Sequence, residues 1–498
     1  MNAPDTGRTG HDTSDAPPAR SSPATSATAP DTGGAGHDTS DAPPARSRPG
    51  AGATPIADAI LGLDTLWGGD VMNPSGTGRF IADSWFSDEP LPVAYTHSTA
   101  QRLRETGGVA AKQPDLAAID AYLAAVDVRG ATAALAEEAK AGGRLRRAYL
   151  KGLVLSLEAM WDLAMELLGR GERVPYERCV VASIGRPPEP SDPAPKRRRV
   201  AELLERAGLA ADSPERLGAS VAAWRQARLI PRPSIPDLAA AFIARYDALT
   251  LKNLVPYLPA SLRTVPRANI TFLPIKDAWF SGSMNYIGRA RRPDGEPEYE
   301  ATYEINASLE ISVPEFEQLV SHEVVPGHVT NSAYYQALYR RGKVGFEGTV
   351  LTMNTRHAAL AEGIANNAIL IAHGVTEIDR LPGDDLQIGV LLALLQDDAK
   401  NQSSWLTWHE GWPQAEVAEV LRRDYLCTVE RADKLSGAWG RHPLMGRMYL
   451  PAYRAGTDTV ADLRRRFPPE RVLPALYGVR GLVDVVTVGR VLGEKSAE

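Results

Sequence analysis

Three side chains with metal-site chemistry fall within one short run, His322-Glu323-Val324-Val325-Pro326-Gly327-His328. Neutral imidazole is a good zinc ligand, and a carboxylate beside it can accept the proton of an activated water. The common form of such a motif, His-Glu-x-x-His, sets its histidines at i and i+4, about 40° apart on a helix. Here the second histidine is at i+6, about 240° round an ideal helix. Both imidazoles can meet one ion only if the helix deforms. Pro326 has no N–H to donate, and its ring clashes with the carbonyl of residue 322. Gly327 accepts unusual dihedrals. The spacing therefore predicts a bulge or break at Pro326-Gly327 that carries His328 back towards His322. The other reading is a buried helix whose His and Glu only satisfy local hydrogen bonds. It leaves unexplained a proline that costs a helix roughly 3 kcal/mol.

A catalytic zinc takes three protein ligands and keeps a fourth position for water. Glu362 is the best third ligand. It is a lone acid in the apolar stretch Ala358 to Ala368, where an unpaired carboxylate is costly. Glu347 is the alternative, nearer in sequence but flanked by Gly345 and Gly348 like a loop residue. Asn366, one turn beyond Glu362, is placed to support a ligand from behind.

The motif resembles the signature of a bacterial family of zinc-metallopeptidase-like proteins, long catalogued as a domain of unknown function. That family is distantly related to the gluzincins. The resemblance covers roughly residues 269–456. It implies a mainly α-helical, metallopeptidase-like body with a deep cleft and a short sheet edge above the metal. Residues 303–309, just before the motif helix, resemble that edge. It also implies one Zn2+ per chain, held by His322, His328 and Glu362, with Glu323 as general base. Glu362-Gly363 matches the family's Glu-Gly pair, although Ile364 and Asn366-Asn367 stand where aromatic residues are usual. Tyr453 and Gly456 match a C-terminal Tyr-x-x-Gly element, which makes Tyr453 the oxyanion donor. Before it, Gly446-Arg447-Met448-Tyr449 replaces the family's Pro-Gly-Gln run, so Tyr449 joins the substrate-side candidates. His409, shortly before Gly411-Trp412, resembles another cleft element, with Trp405 where the family has Asp. Arg447 or Arg454 can hold a substrate carboxylate bidentately. The implied reaction is hydrolysis of an amide bond in a short peptide or amino-acid conjugate. A zinc-dependent lyase or non-peptide hydrolase of small-molecule metabolism, or a silent binding protein, remain the other readings.

These residues need elements to hold them. Arg144 to Leu168 has helical spacing of Leu150, Val154, Leu157, Trp161 and Leu168. Ser213 to Ala227 and Ile235 to Leu251 are further helices, with Ser213 and Ser234 as N-caps. The run Lys196-Arg197-Arg198-Arg199 reads as a solvated helix start. Between Asn269 and Ile311 the pattern changes. Ile270 to Leu273 and Ala301 to Asn306 favour strands, separated by a Gly- and Ser-rich stretch, Trp279 to Tyr286. Helical patterns resume after Pro314. The fold class is thus mainly α, with a small sheet preceding the metal-binding helix.

Residues 1–54 contain no Leu, Ile, Val, Phe, Tyr or Trp and repeat one 12-residue unit, 10–21, at 36–47. Such a segment cannot offset its ordering entropy and reads as a disordered tail. Residues 55–498 then form the zinc-hydrolase-like domain, divisible into a helical part, 55–260, and a metal-site part, 261–498. The net charge of −6 argues against a nucleic-acid partner. Two cysteines exclude a disulfide framework, and no apolar run is long enough to span a bilayer. The expected setting is the cytoplasm, with a small-molecule or short-peptide substrate, no nucleic acid and no membrane. Nothing in the sequence fixes the oligomeric state.

Overall fold

Alternation in the segment before the motif produces a sheet. In the computed structural model, Asn269–Ile275 (β2) runs parallel to Glu300–Asn306 (β4), and Gly282–Tyr286 (β3) pairs antiparallel on its other edge. The central strand buries Ala301, Tyr303 and Ile305 on one face, as a period of two requires. The strand β3 falls inside the Gly- and Ser-rich stretch expected to separate two strands. Gly282 packs tightly there, since a β-carbon would lie 3.0 Å from the Tyr303 ring. A second sheet joins Ala82–Trp85 (β1) to Val350–Thr352 (β5), antiparallel.

Helices make up most of the rest. The structure describes residues 55–68, 81–86, 90–107, 115–275, 282–288, 290–306 and 310–493. The repeated tail at 1–54, the end of the expected sheet edge at 307–309, and Trp279 to Ser281 lie outside them. The helix Arg144–Leu167 buries Leu150, Leu153, Leu157, Met160 and Leu163 on one stripe. Ser213 caps Pro214–Gln226 by accepting from the Arg216 N–H. Ser234 makes no such bond; a short 3-10 turn, Arg232–Ser234, leads into Ile235–Asn253 instead. One hydrophobic core runs from Ile56 to Leu492 and draws residues from both sides of position 260. Among the described residues, no helix is long and apolar enough to cross a membrane.

Three residues of the basic run are part-buried and paired, while Arg198 is exposed. Lys196 Nζ lies 2.7 Å from Asp398 Oδ2, and Arg197 3.4 Å from Asp424 Oδ1. Arg199 reaches both Glu202 and Gln387. The contacts to Asp398 and Gln387 fasten the helix Ala194–Arg206 to Asp384–Ser404, which packs against the motif helix. Asp398 is buried and needs a cation.

Candidate metal centre

The helix Val313–Glu323 starts on Ser312, whose hydroxyl accepts from the Glu315 N–H, with Pro314 in the first turn. That is a standard start. Phe316 and Val320 anchor it in the core. It ends at Glu323, and a second helix, His328–Arg340, begins after a four-residue turn. Val325-Pro326 is a cis peptide. The turn between the helices is pinned from several sides. The Tyr477 hydroxyl donates to the Pro326 carbonyl at 2.8 Å, and the Gly327 N–H donates to Ser321 O at 3.1 Å. The consequence is that the His322 and His328 rings lie edge to face, with centroids 4.8 Å apart. The deformation is therefore a full break, with each histidine on its own helix.

Glu362 comes from the helix Arg356–Asn366, capped by Thr355. This helix crosses Leu450–Arg466 backbone to backbone. A β-carbon on Gly363 would lie 2.2 Å from Gly456 O, and one on Gly456 would lie 1.8 Å from Ala359 O. The two glycines beside Glu362 and Tyr453 are what lets their helices close on each other. Glu362 Oε2 then stands 3.5 Å from His322 Nε2, and Oε1 stands 3.8 Å from His328 Nε2. Donor atoms on a tetrahedral zinc lie roughly 3.4 Å apart. Glu362 Oε2 is buried yet takes part in no hydrogen bond. The donor set and this orphaned oxygen both fit a divalent metal.

His322 Nδ1 lies 2.8 Å from Asn366 Oδ1. An amide oxygen only accepts, so Nδ1 carries the hydrogen and Nε2 keeps its lone pair towards Glu362. Asn366 is itself held by donating to Thr457 Oγ1. Burial, then the nearby His328 and Lys400, push the His322 pKa well below its usual value. The ring is neutral, the state in which it can bind metal. Glu323 Oε1 lies 4.0 Å from His322 Nε2. Ligand atoms of His322, Glu323 and His328 also lie within 4.8 Å of one another, so Glu323 competes with Glu362 as third ligand. Glu362 is favoured because its carboxylate lies closer to His322 Nε2 than that of Glu323, at 3.5 against 4.0 Å, and also faces His328 at 3.8 Å.

Burial raises the Glu362 pKa from 4.5 to about 7, against the lowering effects of Lys400 and the Tyr449 hydrogen bond. The sign of the resulting pH dependence is fixed. Folded, metal-free protein holds this proton more tightly than the unfolded chain does. Its contribution to stability is full below pH 4.5 and is lost as pH rises to about 7, a change of about 3 kcal/mol. In chelator, Glu362→Gln should therefore melt above the wild type at pH 8, with the gap closing towards pH 5. A variant no more stable than wild type at pH 8 would show that burial does not penalise this carboxylate.

The two tyrosines form a hydroxyl chain to the site. Tyr449, not Tyr453, touches the carboxylate: its hydroxyl donates to Glu362 Oε1 at 2.5 Å. Tyr453 donates in turn to the Tyr449 hydroxyl at 3.2 Å. Tyr449 ends a π-helical turn, Met445–Tyr449, of the kind often found at functional sites.

Neither arginine is available to hold a substrate carboxylate. Arg447 is buried and forms two parallel bonds to Glu166, at 2.9 and 3.0 Å, while stacking over Trp408. Arg454 donates to Pro190 O and lies between Asp398 and Asp458, at 3.8 and 3.4 Å. Both expectations fall because each guanidinium already has a carboxylate partner. His409 is half-exposed and stacks on Trp405, with centroids 3.9 Å apart, so the residue standing in the family's Asp position packs against it. Glu347 is engaged elsewhere: its buried carboxylate pairs with the partly exposed Arg146 at 2.8 Å.

Two residues near the site carried no sequence signal. Lys400 and Asp397 form a buried pair beside Tyr453. An acid and a lysine three apart on a helix look like an ordinary surface pair.

No protein-family model and no curated protein matches the chain. Among solved structures, it is similar to the putative lipoprotein from Colwellia psychrerythraea, at TM-score 0.48 and 13% identity over 73% of this chain. The chain spans 66% of that protein's length. A putative lipoprotein of unknown function from Shewanella oneidensis gives TM-score 0.47 and 13% identity, covering 82% of this chain and 80% of that one.

Proposed function

We propose that the chain is a zinc-dependent hydrolase that cleaves an amide bond in a short peptide or amino-acid conjugate. One observation carries this reading: a buried carboxylate, Glu362, faces both imidazoles of the motif at 3.5 and 3.8 Å and leaves one oxygen without a hydrogen bond. His322, His328 and Glu362 would hold the ion, one per chain. A bound zinc would supply Lewis acidity to the substrate carbonyl and lower the pKa of a water.

The protein's own residues do the rest. Asn366 keeps His322 in the tautomer with a lone pair at Nε2. Tyr449 holds one oxygen of Glu362. Glu323, 13% exposed in its side chain, accepts the proton from the attacking water and returns it to the leaving amine. Tyr453 is the candidate donor to the developing oxyanion, and its hydroxyl must turn from Tyr449 to serve there. The substrate enters through the cleft that the resemblance implies. Recognition of a carboxylate by Arg447 or Arg454 forms no part of this proposal. We assign the protein to the cytoplasm, in keeping with its two buried, unpaired cysteines, Cys179 and Cys427.

Elemental analysis should find zinc near one equivalent per chain, and His328→Ala should lose most of it. Full metal retention by that variant would remove His328 from the ligand set. A peptide-library digest with and without chelator then tests the reaction. Metal-dependent cleavage supports a peptidase. A zinc-loaded protein that cleaves no peptide favours non-peptide chemistry on the same site.

A further inference from the structure

The helix Asp384–Ser404 carries a buried ion pair that the proposed chemistry does not use. Lys400 Nζ lies 3.0 Å from Asp397 Oδ1, one turn back. Lys400 is only 8% exposed and Asp397 5%. Replacing such a pair with apolar side chains of similar volume is often neutral or stabilising, so stability alone does not explain it. Its position does. The ammonium sits 3.1 Å from the centroid of the Tyr453 ring. Tyr453 donates to Tyr449, and Tyr449 donates to Glu362 Oε1. A continuous run of contacts thus leads from Asp397 to the carboxylate that faces both histidines.

Each contact restricts the next. Asp397 fixes the cation, and a cation over an aromatic face in a dry site resists displacement of the ring. The fixed ring places its hydroxyl within reach of Tyr449, to which it donates in this structure. Tyr449 has one hydroxyl hydrogen. Because its oxygen accepts from Tyr453, that hydrogen is directed at Glu362 Oε1. The other carboxylate oxygen, Oε2, is left towards His322.

We propose that Lys400, paired with Asp397, is a positioning residue of the metal site: it clamps Tyr453, so that the Tyr453–Tyr449 hydroxyl chain aims Glu362 between the two histidines. The inference rests on Glu362 being a metal ligand, as proposed above.

The test is zinc affinity by chelator competition, alongside the melting temperature of the metal-free full chain. Asp397→Leu with Lys400→Met removes both charges and leaves neither unpaired. This double variant should melt close to wild type and bind zinc roughly 10-fold more weakly, the scale of loss for supporting residues behind a ligand. Lys400→Arg, which keeps the cation, should retain most of the affinity. Tyr453→Phe should weaken binding to a similar extent. Adding it to the double variant should cost little more, because the pair acts through that hydroxyl. Should the apolar pair fail to fold, Asp397→Asn with Lys400→Gln keeps a hydrogen-bonded pair without charge and carries the same expectation. Unchanged affinity in the charge-free variant would overturn the proposal. So would full additivity with Tyr453→Phe, which would mean that Lys400 acts by another route. Tighter zinc binding would also overturn it, since Lys400 would then merely repel the metal. In all three cases the wild type still binds zinc and the metal reading stands. A wild type that takes up no zinc would overturn both.

Discussion

Glu323→Gln should retain about one zinc per chain and lose turnover by roughly 10²-fold or more, the usual scale for removing a general base. The amide keeps the size of the carboxylate but cannot take a proton. The expected retention of metal follows from geometry. Glu323 Oε1 is 4.0 Å from His322 Nε2, whereas Glu362 reaches both imidazoles, at 3.5 and 3.8 Å. Zinc content and turnover, measured on the same preparation, separate two roles for one residue. Loss of zinc together with turnover would make Glu323 a ligand, with His322, Glu323 and His328 as the binding trio. Near-normal turnover with zinc retained would mean that another base operates. The readout is turnover on whichever substrate the digest identifies. The zinc content needs no substrate at all.

The parts of this site legible in the sequence are those set by local chemistry. His322, Glu323 and His328 are six residues apart at most, and the proline between them announces a break. Glu362 stands out because a single acid in an apolar helix requires a reason. Asn366 follows from helical spacing, one turn on. What could not be read depends on partners far away in the chain. Arg447 is occupied by Glu166, 281 residues earlier, and Lys196 by Asp398, 202 residues later. No local pattern distinguishes such an arginine from one free to bind substrate.

The tyrosines show a second kind of limit. Tyr449 and Tyr453 lie four apart, and a regular helix would put them on one face. The π-helical turn at Met445–Tyr449 widens the helix just before that face. A reading based on a period of 3.6 residues cannot anticipate which hydroxyl reaches Glu362 first. The strand Gly282–Tyr286 was hidden for a different reason. Glycine and serine weaken the strand signal, yet Gly282 lies where a β-carbon would crowd the Tyr303 ring at 3.0 Å. Function and fold meet in the glycines generally. Gly363 and Gly456 look like poor helix residues until the two helices are seen to touch through them.

The motif glycine gives the most severe expectation. From sequence alone, Pro326 and Gly327 interrupt what alanines would make a more regular helix, so that replacing both could even stabilise the metal-free protein. The structure reverses that expectation for Gly327. Its φ is −75°, so dihedral freedom to positive φ is not what it supplies. It supplies space: a β-carbon there would lie 1.8 Å from the His322 carbonyl oxygen and 2.6 Å from that of Ser321. Neither atom can give way cheaply. Both belong to the end of the motif helix, and the Gly327 N–H already donates to Ser321 O. Nor can the turn move outwards freely, since buried Tyr477 holds the Pro326 carbonyl. Gly327→Ala should therefore destabilise the metal-free protein by about 3 kcal/mol or more, the upper range for overpacking a buried site. It should also lose zinc, because relief of the clash must separate the two helix ends that carry His322 and His328. The two effects are measured separately, by denaturant unfolding in chelator and by zinc competition. Wild-type stability with wild-type affinity would show that the helix ends do not approach as closely as 1.8 Å implies. Lost stability with unchanged affinity would show that the histidines meet by some route other than this turn.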